Sequence, residues 1–248
     1  MLIESNQNTK YKNWLKLHQK KYRQSEQAFL VEGEHLVGEA LSAGVVKEIL
    51  VREDALIDEA LVQGSEVYTL KATLFDKLAK TESPQPVMAV CRIGASQIEG
   101  HNRLLLLDGI QDPGNLGTLV RSAAAFGFDG IILGDGCVDL YNEKTVRATQ
   151  GALFKIGIEA KNLIEALDNL ISEGVLVYGT SLEGAKPLGE IPRSEKMAFV
   201  LGNEGAGVSK EILGKTTGNI FIEMQENVES LNVSIAGSVL MYQFRAII

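Results

Sequence analysis

The sequence predicts an α/β protein in two parts, a smaller N-terminal domain followed by a larger one built on a mostly parallel sheet. Three observations carry that prediction. Short apolar runs alternate with helix-period patterns through nearly all of the 248 residues, as expected of strands covered by helices. A polar, glycine-bearing stretch at 94–102 (GASQIEGHN) divides the alternation into two series. Several strand-like runs then end in clusters of Gly, Asn, Ser and Asp, the residues found where an α/β sheet hands its chain over to ligand-binding loops.

In chain order, residues 1–24 form a basic arm. Lys10, Lys12, Lys16, Lys20, Lys21 and Arg23 face the single acid Glu4, in a chain whose net charge is −8. A cationic arm on an acidic body fits attraction to a polyanion, and fits a solvated amphipathic helix as well. In the first domain, 25–95, strands are predicted at 28–31, 46–51, 67–70 and 87–93. Helices are predicted at 33–43, with Leu36, Val37, Ala40 and Leu41 on one face, at 54–63, and at 73–80 with Thr73 as cap. Pro84 and Pro86 end that last helix. In the second domain, 96–248, strands are predicted at 104–107, 130–133, 153–158, 175–180, 197–201 and 220–222, and helices at 117–126, 143–150, 163–172, 208–213 and 231–244. The last helix would bury Leu231, Ile235 and Val239, spaced four apart.

Composition narrows the class. No apolar run approaches the roughly 18 residues that span a bilayer, and the first residues lack the apolar core of a signal peptide. Cys91 and Cys137 are far apart and without metal-ligand spacing, which suits a reduced, cytoplasmic protein. His18, His35 and His101 are scattered, so no metal site is indicated. Tyr141 and Tyr242 could stack on a base or serve packing.

Three segments carry the chemistry: 112–121 (DPGNLGTLVR), 201–207 (LGNEGAG) and 229–234 (ESLNVS). In the first, Asn115 can cap the following helix, and Arg121 offers a guanidinium suited to a bidentate grip on phosphate. In the second, glycines let the main chain approach a ligand directly, and Glu204 sits at the turn. In the third, Ser230 can cap the last helix, while Asn232 and Ser234 fall in its first turn or so, and helix propensity would not select Asn232 there. The spacing of GNLG excludes a dinucleotide-binding fingerprint.

Together the three motifs resemble, in order and spacing, those of the SpoU (TrmH-like) RNA ribose methyltransferases of the SPOUT superfamily. The resemblance covers the second half of the chain. A weaker likeness, carried by FLVEGEHLVGEAL, links the first half to the ribosomal-protein-like substrate-binding domain that often precedes this catalytic domain. The resemblance implies a trefoil-knotted α/β domain, which topology rules would not predict, a homodimer formed through that domain, and methyl transfer from S-adenosylmethionine to a ribose 2′-hydroxyl. It implies Asn115, Arg121, Glu204, Ser230 and Asn232 as active-site residues. It places the cofactor against Thr180, Leu201, Gly202, Asn203, Gly205, Ile222, Leu231, Val233 and Ser234. Since a guanidinium stays protonated up to a pKa above about 12, Arg121 is expected to clamp a phosphate and stabilise developing alkoxide charge. RNA is the expected partner, with ribosomal RNA favoured by the extra N-terminal domain and transfer RNA the nearest alternative; Lys10, Lys12, Lys16, Lys20, Lys21 and Arg23 are the expected contacts. The competing reading is a non-catalytic RNA-binding or assembly factor that retains the fold.

Overall fold

The computed structural model describes residues 1–94, 97–225, 227–228 and 230–246. Ala95 and Ser96 of the expected linker and Glu229 of the third motif lie outside these. The chain divides into two compact units. The first comprises Met1–Gly94 with Asp139–Phe154, and the second comprises Ala95–Val138 with Lys155–Ile248.

In the first unit the elements run β1 (Leu2–Ile3), α1 (Thr9–Lys16), α2 (Lys20–Glu26), β2 (Ala28–Glu32), α3 (Glu34–Ser42), β3 (Val46–Arg52), β4 (Glu66–Leu70), α4 (Ala72–Ala79) and β5 (Val87–Arg92). Five strands form one mixed sheet in the order β1-β4-β3-β5-β2. The expected arm is folded into it. β1 pairs with β4, and Ile3, Tyr11, Trp14 and Leu17 enter the same buried cluster as Leu50, Phe75 and Leu78. Asn8 starts α1 by accepting from the N–H groups of Lys10 and Tyr11 at 2.9 and 3.3 Å.

Two local predictions fail here. The helix expected at 54–63 is only a 3-10 turn at Glu59–Leu61, because Leu56 is 98 % exposed and supplies no buried face. Thr73 does not cap α4: the helix begins at Ala72, after Lys71, and its first N–H is served by Glu53 Oε1 at 2.9 Å.

The second unit runs β6 (Arg103–Asp108), α5 (Pro113–Ala125) and β7 (Gly130–Leu133). After α6 (Glu143–Thr149), which belongs to the first unit, it continues with β8 (Gly157–Ala160), α7 (Leu163–Ser172), β9 (Leu176–Thr180), β10 (Ala185–Pro187), β11 (Met197–Gly202), α8 (Lys210–Leu213), β12 (Gly218–Phe221) and α9 (Val233–Gln243). Its sheet has seven strands in the order β10-β12-β9-β11-β6-β7-β8, all parallel. Leu104, Leu105, Leu106 and Leu107 are fully buried, as a continuous apolar run in a sheet covered on both faces should be. One face packs on α7 through Leu163, Ala166, Leu167 and Leu170. The strand expected at 153–158 is instead a 3-10 turn at Ala152–Phe154 followed by β8. β10 went unpredicted, since a strand of three residues, none of them buried, carries no periodic signal.

The expected buried stripe of α9 is inverted. Leu231, Ile235 and Val239 are 37 %, 53 % and 41 % exposed, and the buried residues are Ser234, Gly237, Leu240 and Met241. Close approach decides it: a Cβ on Gly237 would lie 2.5 Å from Leu119 Cδ2 and 2.6 Å from Leu201 Cδ1. The face with Ser234 and Gly237 therefore packs inward together with Leu240 and Met241, and Ile235 and Val239 face out.

Candidate active site

β6 and β11 are neighbours in register from Arg103↔Met197 to Asp108↔Gly202, so both chains leave the sheet at the same place. Two backbone loops then interlock. Asn203 donates through Nδ2 to Gly109 O at 2.8 Å, and its Oδ1 accepts from the N–H groups of Gly205 and Ala206. The Ser209 N–H donates to Asp108 Oδ2 at 2.8 Å. Gly202 is sterically required, because a Cβ there would stand 2.1 Å from Gly207 C and Val208 N.

This loop carries Glu204 towards the start of α5. Its Oε1 accepts from the Asp112 N–H at 3.2 Å and from Asn115 Nδ2 at 3.0 Å, and its Oε2 from the Gln111 N–H at 3.3 Å. Burial opposes ionisation of Glu204, but the Asn115 amide and these N–H groups outweigh it and hold the carboxyl below its ordinary value. The chain of bonds continues: Asn232 Nδ2 donates to Asn115 Oδ1 at 3.0 Å, while Asn232 Oδ1 accepts from the N–H groups of Ser234 and Ile235 and from Ser234 Oγ. All three sequence motifs thus meet in one polar run, Glu204–Asn115–Asn232–Ser234.

The caps are not the expected ones. Asp112, not Asn115, caps α5, accepting from the Asn115 N–H at 2.8 Å, and Asn232, not Ser230, caps α9. The first was readable, since Asp followed by Pro is the N-cap and N1 pair of a helix start. Freed from capping, the Asn115 side chain can bridge Glu204 and Asn232.

Beside this run lies a cavity of about 310 Å³, lined by Thr180, Gly207, Ile222, Ser230, Leu231 and other residues of the same unit. Its wall is mainly apolar, with Leu188, Ile220 and Leu240 buried behind it. Thr180 Oγ1 donates to Val200 O at 3.0 Å, leaving its oxygen free to accept. Among the described residues, no group of three His, Cys, Asp or Glu side chains is placed to hold a metal ion.

Residues 102–242 match the SpoU rRNA Methylase family, more than half of the chain. The protein belongs to that family. Residues 8–89 of this SpoU chain match the MRM3-like substrate binding domain. It is 46 % identical over 244 residues to the 23S rRNA (guanosine(2553)-2′-O)-methyltransferase of Bacillus subtilis strain 168, covering 98 % of each chain. Among solved structures it resembles an AdoMet-bound rRNA methyltransferase from Sinorhizobium meliloti (TM-score 0.88, 28 % identity, 98 % and 96 % of the two chains). It also resembles an RNA 2′-O ribose methyltransferase (TM-score 0.84, 27 % identity, 98 % and 97 %). This likeness agrees with the α/β-knot class implied by the three motifs.

Not every expected site residue of the SpoU chain joins the polar run. Arg121 is exposed on α5 and makes no ion pair or hydrogen bond with the described residues. Ser230 stands at the cavity wall with Thr180, Ile222 and Leu231. Leu201 and Gly202 are buried at the end of β11, Asn203 and Gly205 shape the loop, and Val233 and Ser234 open α9. Sequence reasoning missed Leu188, Gly207, Met224, Ala236 and Leu240 as cavity residues. Apart from Gly207, the last residue of the second motif, they are apolar or small residues with no local signature.

In the first unit the six basic residues separate into two sets. Lys10 Nζ pairs with Glu48 Oε1 at 2.7 Å and contacts the Tyr68 hydroxyl; these bonds, that to Glu48 foremost, push its pKa up. Arg23 is 5 % exposed and bonded to Asp139 and to Leu17 O. Both are thus engaged by carboxylates of the first unit. Lys12, Lys16, Lys20 and Lys21 are exposed and, among the described residues, have no carboxylate partner. Lys16 and Lys21 lie 5.7 and 5.9 Å from the ring of Tyr22.

Proposed function

We propose that this chain uses S-adenosylmethionine to methylate a ribose 2′-hydroxyl of ribosomal RNA. The observation that carries the reading is the joining of Glu204, Asn115 and Asn232 from three separate motifs beside a largely apolar cavity. Support comes from the family and from a relative, 46 % identical along the whole chain, that is a 23S rRNA guanosine 2′-O-methyltransferase.

The cavity fits the cofactor. Its apolar walls suit a purine, and the hydroxyls of Thr180 and Ser230 and the main chain near Ile222 and Leu231 suit the sugar and the polar tail. When bound, S-adenosylmethionine supplies an activated methyl group. The protein's task is to present the ribose oxygen in line, and positioning of this kind accounts for much of a rate enhancement. Ionised Glu204 keeps acceptor capacity on Oε2 beyond its one N–H bond, so it can hold or take the hydroxyl proton, with Asn232 and Ser230 orienting the sugar. Arg121, exposed and without an ion pair or hydrogen bond among the described residues, is available to clamp the adjoining phosphate and to stabilise alkoxide charge. Lys12, Lys16, Lys20 and Lys21 supply long-range attraction to RNA.

We also assign a homodimer through the second unit. The exposed stripe Ile235, Val239 and Tyr242 of α9 supports it, since an outward apolar helix face commonly marks an interface. The cytoplasm is the proposed location. No helix among the described residues is long and apolar enough to cross a membrane.

Calorimetric titration with S-adenosylmethionine tests the reading, beside mapping of 2′-O-methyls in RNA from a deletion strain. Saturation near one cofactor per subunit and loss of one ribosomal methyl group are expected. Folded protein that binds no cofactor, with RNA present or absent, would return the chain to the non-catalytic reading.

A further inference from the structure

We propose that the first unit carries a pocket for one unstacked guanine base of single-stranded RNA. The proposal deepens the RNA reading above and rests on it. A cavity of about 200 Å³ opens between Lys10, Asn13 and Trp14 of α1, Glu26 at the end of α2, and Lys47 and Glu48 of β3, all within the first unit. Strand alternation would send neighbours such as Lys47 and Glu48 to opposite faces. The register of β3 against β5 slips between Val46, opposite Cys91, and Glu48, opposite Val90. Lys47 is thus the extra residue of a β-bulge, and both residues line one cavity.

The polar groups of this cavity fall into two kinds. Glu48 is already engaged: Oε1 accepts from Lys10 Nζ at 2.7 Å and Oε2 from the Trp14 indole N–H at 2.6 Å, which makes these three residues a fixed wall. Lys47 and Glu26 are exposed and, among the described residues, their side chains form no hydrogen bond or ion pair, either with each other or with a third group. A donor and an acceptor of opposite charge therefore share one cavity without neutralising each other. A phosphate would meet two carboxylates there, and an apolar ligand would leave both charges without a partner. Guanine satisfies both. Its N1–H and N2–H₂ donors suit the Glu26 carboxylate, its O6 and N7 acceptors suit Lys47, and Trp14 supplies an aromatic wall. The phosphates have their own partners. Lys12 and Lys16 on α1, and Lys20 and Lys21 on α2, are exposed and have no carboxylate partner among the described residues. Lys16 Nζ donates to Oδ1 of the cavity residue Asn13 at 3.2 Å. Backbone contacts of this kind position a strand, and base contacts specify it.

Trp14 is the chain's single tryptophan, so its fluorescence in the full protein reports on this cavity. The probes are short oligouridylates with one central guanosine, adenosine, inosine or 7-deazaguanosine, and binding is measured independently by the anisotropy of a labelled strand. The guanosine probe is expected to shift Trp14 emission saturably and to bind about tenfold or more tighter than the adenosine probe. Glu26→Gln should abolish the preference for guanosine over inosine, which lacks the N2 donors. Lys47→Gln should abolish the preference over 7-deazaguanosine, which lacks N7. Both residues are exposed, so both variants are expected to fold. Equal affinity for all the probes, no binding to folded protein, binding that leaves Trp14 emission unmoved, or preferences unchanged in both variants would each overturn the proposal. A chain that binds guanosine selectively but transfers no methyl group would count against the methyltransferase reading alone, because binding requires no turnover. Methyl transfer by a chain that binds every probe equally would overturn the pocket alone.

Discussion

Glu204, Asn115 and Asn232 in the second unit, and Glu48, Lys10 and Trp14 in the first, are two polar clusters centred on a glutamate. In the first unit each oxygen of Glu48 is taken by a side chain, Oε1 by Lys10 and Oε2 by the Trp14 indole N–H at 2.6 Å. The pair is closed, and it fastens α1 to the sheet. In the second unit Glu204 is held by main-chain N–H groups and a neutral amide. Among the described residues no cation pairs with it, and it sits at the mouth of three loops. A carboxylate paired with a cation serves structure; one preorganised by dipoles remains available to a ligand.

The sharpest way to break the second cluster is Gly202→Ala. A methyl group cannot fit 2.1 Å from the Gly207–Val208 peptide, so the loop carrying Asn203 and Glu204 must move. We expect methyl transfer to fall by about 100-fold or more, since misplacement of about 1 Å suffices for that. Gly205→Ala, with open space around it apart from Asn203 Oδ1 at 3.6 Å, should fall far less. Equal losses would show that the close crossing is unimportant.

Asn232→Ala comes next. It removes the α9 cap and the bond to Asn115, and loss of such a cap costs about 1 kcal/mol. For a domain of this size that lowers Tm by roughly 2–4 °C. Asn232→Ser restores capping but cannot reach Asn115, so recovered Tm without recovered turnover would separate the two roles. Recovery of both would reduce Asn232 to a cap.

Much of this was legible in the sequence because polar motifs announce themselves against apolar strands. The run Leu104–Leu107 and the clusters GNEGAG and SLNVS place the loops before any coordinates do. Contributions that depend on long-range packing were hidden. Nothing local in ESLNVSIAGSVLMYQF says that Gly237 must lie against Leu119 and Leu201, and without that contact the larger residues look like the buried face. The basic arm misled in the same way. Spacing cannot show that Lys10 reaches Glu48, or that Arg23 meets a carboxylate 116 residues away. Charge counts describe a chain, whereas burial and partners describe a site.

The first unit offers a smaller test of the same contrast. In Lys20→Gln/Lys21→Gln, two exposed cations are lost that have no carboxylate partner among the described residues. The slope of log K for RNA against log salt should flatten by roughly 0.7–0.9 for each phosphate contact removed. Lys10→Gln, which removes a cation already paired with Glu48, should leave the slope where it was. Flattening in the Lys10 variant would mean that the closed cluster opens to RNA.

The subtlest effect concerns the proton on Glu204. Its carboxyl sits below the ordinary value because the Asn115 amide and the N–H groups of Asp112 and Gln111 outweigh the cost of burial. A depressed carboxyl contributes stability that is fully present above its unfolded value and is lost as pH falls through the folded one. Activity that needs ionised Glu204 should therefore persist on acidification past the ordinary glutamate range, then fail. In Asn115→Ala the largest of the lowering contacts is gone while burial remains, so the acid limb of kcat should move to higher pH. Asn115→Asp would add a second carboxylate beside the first and move the limb further the same way, since like charges resist joint ionisation. A limb that stays in place in both variants would mean that a different group sets it, and that Glu204 holds the loop rather than the hydroxyl proton.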